Sequence, residues 1–251
     1  MSMLLLLGVI FLSSLILTMV GLGGGLIFAP LFVLLGFPLT TAVSASLFLN
    51  GIAALSAAIT YFRAKMVEVK IGLPLILSST LAAPIGALLT HRIDVRLFSG
   101  ILALVIIIAA LRMIFAKKPT AREPAAVSTP RRIWGGGIIG IAIGLLAGLL
   151  GIGGGVFIVP LLIYILKIPT KIAAATSIFV VVFSSFSGFL AHISMATTNW
   201  RFILVAAVFS FAGGQIGSRI MAEKLKGRSV RVIFGFVLLA FSAKLIQKNF
   251  F

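Results

Sequence analysis

The residues that could do chemistry fall in two glycine clusters. Gly21-Leu22-Gly23-Gly24-Gly25-Leu26-Ile27-Phe28-Ala29-Pro30 recurs as Gly151-Ile152-Gly153-Gly154-Gly155-Val156-Phe157-Ile158-Val159-Pro160, a self-match that marks two related halves. Glycine costs about 1 kcal/mol relative to alanine inside a helix, and three adjacent glycines cover every face of one. Both stretches are therefore predicted to break a helix rather than to pack one. The segments after them, Leu26 to Gly36 and Val156 to Leu166, leave room for about two or three helical turns each. Their first turns begin at the glycines, so unpaired N–H groups and the positive end of the helix dipole converge there. Such a place binds anions.

Uncharged hydrogen-bonding side chains stand at span positions: Ser44, Ser46, Asn50, Thr176, Ser177 and Gln215. Ser46 and Asn50 share a helix face at i and i+4, and the repeat matches Ser177 to Ser46. With Thr176 and Gln215 they can donate to an oxyanion without adding charge. Taken singly, each reads as an interhelical hydrogen bond. The candidate substrate-binding set is thus Gly23, Gly24, Gly25, Ser46, Asn50, Gly153, Gly154, Gly155, Thr176, Ser177 and Gln215. Other glycines have the spacing of helix packing: Gly136, Gly140, Gly144 and Gly148 on one face, Gly213 and Gly217 on another, with Ala82 and Gly86 at the matching place in the first half.

Several chemistries are excluded or weakly supported. The nucleotide fingerprint GxGxxG fails because its third glycine position holds Leu26 or Val156, with no preceding strand and no acidic residue about 20 positions on. No Walker A sequence occurs. The acidic residues Glu68, Asp94, Glu123 and Glu223 fall in expected loops or at span ends, so a carboxylate relay or Na⁺ site inside the spans has little support. Met19, Met113, Met195, Met221 and His192 are scattered, which disfavours metal permeation, and no nucleophile, base and metal converge as in an enzyme. No cofactor is implied. Cysteine is absent.

The elements that must position the clusters are membrane spans. Of 251 residues, 61% are hydrophobic and only 10% charged, and the mean hydropathy is +1.28. Ser2 to Gly21, Leu39 to Phe62, Ile71 to Thr90, Leu97 to Leu111 and Ile172 to Ile193 are almost free of charge and long enough, as helix, to cross a hydrocarbon core of about 30 Å. The formal charge of +17 would suggest nucleic acid in a soluble protein. Here the basic residues belong to loops, and the aromatics lie in apolar runs instead of between cations, so no nucleic-acid partner is expected. Met1 to Val20 lacks a basic n-region and a cleavage site, and is read as mature protein.

The expected architecture is all-α and polytopic. Residues 1–115 form a first transmembrane repeat, 116–131 a charged, proline-containing cytoplasmic linker, and 132–251 a second repeat, each repeat a glycine-broken element followed by three spans. If each broken element returns to its own side, Arg92, Arg96, Arg201, Lys244 and Lys248 fall on one face and all other Lys and Arg on the opposite one, the strong bias of a cytoplasmic surface. Three crossings per half then invert the second half relative to the first, as in transporters built around a midplane site. Both termini are expected outside the cytoplasm of a cell membrane. Lipid and a small anion are the implied partners, and a homodimer is compatible with the pattern.

The doubled GxGGG with its following proline, Ser46 and Thr176-Ser177, and the later Gly86 and Gly217 resemble the TauE/SafE family of membrane permeases over nearly the whole chain. The resemblance implies export of sulfite, sulfoacetate or related organosulfonates by alternating access. By position it implies that Gly23, Gly24, Gly25, Gly153, Gly154, Gly155, Ser46 and Ser177 line the site. The half-sites differ, since Val181 stands opposite Asn50 and Gln215 opposite Pro84. A membrane assembly protein that transports nothing is the competing reading.

Overall fold

The structure is a computed structural model that describes residues 3–89, 107, 110, 111, 114, 115, 137–146, 154–192 and 200–250. The linker 116–131, Gly153 and most of the span Leu97 to Leu111 lie outside the described residues. No strand occurs among those described. The helices are α1 (Met3–Met19), α2 (Gly25–Leu34), α3 (Leu39–Arg63), α4 (Val69–Leu89), α5 (Gly137–Leu146), α6 (Gly155–Tyr164), α7 (Thr170–His192), α8 (Trp200–Glu223) and α9 (Gly227–Phe250).

Helices α2 and α6 have 10 residues each, about 15 Å at the usual rise and half of a hydrocarbon core. Each begins at the last glycine of its cluster. Positive φ angles at Gly21 (90°), Gly23 (75°) and Gly154 (79°) are conformations that a side chain would strain, which is why the breaks fall on glycine. Pro38 directly precedes α3 and Pro169 directly precedes α7. The connections from α2 to α3 and from α6 to α7 are only a few residues long, so consecutive helices must be spatial neighbours.

Among the described residues, four helices are long and apolar enough to cross a membrane: Thr40–Arg63 in α3, Val69–Gly86 in α4, Thr170–Ala191 in α7 and Trp200–Glu223 in α8. The first and third are 78% and 72% buried, the second and fourth 44% and 39%. So α3 and α7 form the centre, and α4 and α8 flank them. The outer surface of α4 carries Leu73, Leu77, Leu81 and Leu88, all at least half exposed. Apolar faces of this kind are unfavourable in water and suit lipid.

Packing exchanges between the halves. Helix α4 lies along α7, α8 lies along α3, and α1 lies along α8. Small residues permit these approaches. A Cβ on Gly213 would stand 2.9 Å from the Ser14 side chain, and one on Gly217 2.9 Å from the Leu15 carbonyl carbon. In the matching pair α4–α5, a Cβ on Gly144 would be 2.7 Å from Ser79 Cα, and one on Gly86 2.9 Å from Leu145 Cα. The glycines assigned to packing from their spacing do pack, wherever they are described.

Candidate anion site at the glycine breaks

The two breaks meet at the centre of the molecule. A Cβ on Gly155 would lie 2.9 Å from both the Gly21 carbonyl oxygen and Leu22 Cα, and one on Gly21 2.7 Å from Ala174 Cα. Ser177 Oγ donates to the Gly21 carbonyl at 2.8 Å, so a side chain of the second half holds the loop of the first. Ser46 Oγ donates to the Gly25 carbonyl at 3.3 Å. Gly21 through Gly25, Gly154 and Gly155 are all buried.

The amides at the start of α2 already hold an oxygen. Asn50 Oδ1 accepts from the Gly24 N–H at 2.5 Å and from the Gly25 N–H at 2.7 Å. Its Nδ2 donates to Ser185 Oγ at 2.7 Å, and the Asn50 side chain is fully enclosed. The expectation of unpaired N–H groups at α2 is therefore corrected in this conformation. A buried N–H left without an acceptor costs roughly 1–3 kcal/mol, and a neutral carboxamide oxygen fills that role here. The geometry nonetheless has the form expected for an oxyanion: two adjacent amides aimed at one oxygen atom.

The second break differs. Gly154 is left-handed at φ 79°, whereas Gly24 is at φ −115°. Among the described residues no side chain caps the first amides of α6. Val181, which matches Asn50 in the repeat, is apolar and fully buried.

Thr176 and Gln215 do not join this centre. Thr176 Oγ1 accepts from the Glu68 N–H at 3.0 Å, in the connection between α3 and α4. Gln215 Nε2 donates to Thr60 Oγ1 at 3.0 Å, and its Oε1 accepts from Ser56 Oγ at 3.1 Å, across the α3–α8 contact. Ser185 was missed from the sequence. Its repeat partner is Ala54, so symmetry offered no hint, and only the α3–α7 crossing brings it to Asn50. A cavity of about 460 Å³ lies beside the first break, among Leu12, Ile16, Ile27, Pro30 and Val237. Its lining is nearly all apolar, which suits hydrocarbon rather than an anion.

Aromatic side chains bracket the central pair. Phe48 packs on Phe189 with ring centroids 5.1 Å apart and touches Phe186 and Trp200. Its repeat partner Phe179 packs on Phe183 at 5.5 Å and on Phe62 at 6.0 Å.

Apolar spans, exchanged helix pairs and broken half-length helices facing one another define a polytopic helical membrane transporter. The sulfite exporter TauE/SafE family model matches residues 6–245, and the chain belongs to that family. It is 28% identical to the probable membrane transporter protein YunE of Bacillus subtilis, over 93% of each chain. The probable membrane transporter protein YdhB of the same organism is also 28% identical, over 84% of this chain and 87% of its own. A probable membrane transporter protein of Methanocaldococcus jannaschii is 24% identical over 87% and 85%. No solved structure matches the chain.

Proposed function

We propose that this transporter exports a small sulfur oxyanion, such as sulfite, sulfoacetate or a related organosulfonate, from the cytoplasm. The observation that carries the reading is the pair of Gly24 and Gly25 amides converging on a single oxygen, beside the second break. An oxyanion oxygen replaces Asn50 Oδ1 on those amides, and the positive end of α2 favours its charge. Ser46 and Ser177 hold the loop carbonyls, leaving the N–H groups to face the anion. Gly153, Gly154 and Gly155 offer the second half-site. The name of the matching family model, sulfite exporter, supports the substrate class.

The halves are inverted repeats, and access alternates between the two ends of the α3–α7 pair. Separation of the Phe48 cluster opens one end, and separation of the Phe179 cluster opens the other. The protein resides in the cell membrane with both termini outside the cytoplasm. An inside-negative potential then contributes about 2.3 kcal/mol per charge per 100 mV toward efflux. Purified protein in liposomes should pass sulfite, sulfoacetate or both, faster when the imposed potential drives the anion. Folded protein that passes neither overturns the reading and leaves the assembly role.

A further inference from the structure

The second half carries a cation that the glycine site does not use. Arg231, in the second turn of α9, is only 5% exposed, and its Nε is enclosed without a hydrogen-bond partner. Among the described residues its guanidinium makes no ion pair, and the described carboxylates, Glu68 and Glu223, do not reach it. Its neighbours Lys224, Lys226 and Arg228 are exposed, as residues that merely set topology should be. Arginine stays charged at any physiological pH, and a buried charge without a partner is strongly unfavourable.

A second basic side chain, Lys171, lies one turn of α9 away, beside Gly227. Arg231 stands between Gly227 and Gly235 on one stripe of α9. A Cβ at Gly227 would lie 3.8 Å from the Thr170 side chain and 3.9 Å from that of Lys171, and one at Gly235 3.2 Å from the Ala110 carbonyl. Lys171 Nζ donates to the Ala222 carbonyl at 2.8 Å. The first turn of α9 contains no acidic residue and presents its own N–H groups. Among the described residues, none supplies the missing charge partner.

We infer that Arg231 binds a tetrahedral oxyanion at the start of α9, in a second site separate from the glycine breaks. A sulfate, sulfonate or phosphate group has the two oxygens that a guanidinium fork pairs with. The group arrives either as a free anion or as the phosphate of an anionic lipid. The test reads binding alone, so it stands or falls independently of transport. The full chain is melted in detergent with sulfate or with chloride at matched ionic strength, and again in nanodiscs of phosphatidylglycerol or of phosphatidylcholine. Wild type should gain about 5 °C from at least one anionic probe, and Arg231→Met should gain nothing from that probe while remaining at least as stable as wild type without it. A gain from sulfate alone assigns a free anion, and one from phosphatidylglycerol alone assigns a lipid headgroup. Arg231→Lys keeps the charge but loses the fork, so its gain should fall by about half or more. Equal gains in wild type and both variants, or no gain in wild type, overturn the inference.

Discussion

The two glycine breaks share a backbone plan and differ in what closes it. At the first, Asn50 bridges from the Gly24 and Gly25 amides to Ser185 of the other half. At the second, the matching residue is Val181, and the bend rests on a left-handed Gly154, with Gly155 packed close to the first loop. Duplicated backbone can thus serve unequal tasks. The first break holds a side-chain acceptor oxygen, while the second supplies close packing through Gly155 against Gly21 and Leu22.

The largest effect should come from removing that packing. Gly155→Leu drives a side chain into the Gly21 carbonyl and Leu22 Cα, which are backbone and cannot swing aside. A loss of about 3 kcal/mol is expected from overpacking of this kind, read as a lower melting temperature in detergent. Normal stability would mean that the two loops do not depend on close contact.

Changing Asn50 should separate structure from transport. Asn50→Val copies the second break and leaves two buried amides without their acceptor, at a cost of about 2 kcal/mol. Asn50→Asp keeps an oxygen on both amides and adds charge that strengthens those bonds. It should fold and yet lower anion flux in liposomes about tenfold, because a fixed negative group then occupies the place of the cargo. Undiminished flux in Asn50→Asp would remove the first break from the pathway.

The smallest effect belongs to Gln215→Leu. Its bonds to Thr60 and Ser56 lie in the α3–α8 contact, where interhelical hydrogen bonds in membranes average about 0.6 kcal/mol. Flux in the same liposome assay should stay within about twofold of wild type. A larger drop would tie the flanking contact to the central pair and enlarge the site beyond the breaks.

Much of the fold was legible because its causes are local. Charge-free stretches of span length, glycines that break helices and prolines that start them act through neighbours in sequence, and the short helices α2 and α6 fall where the clusters predict them. Ser46, Asn50 and Ser177 do reach the loop of the first half. Thr176 and Gln215 were equally polar and equally placed in spans, yet they face the α3–α4 connection and the α3–α8 contact. Hydroxyl and amide side chains look alike in sequence whether they line a site or join two helices, since only the packing partner distinguishes them.

Residue types and their order determined that this protein suits lipid and that a short helix starts at each glycine cluster. Those properties follow from transfer free energies and backbone freedom, which belong to the residues alone. Tertiary structure alone decided that α4 and α8 cross to the opposite half, that Asn50 fills the amides expected to be vacant, and that Arg231 is enclosed while its basic neighbours stay exposed. Each of these depends on which surfaces of different helices meet in space, and no local pattern encodes that meeting.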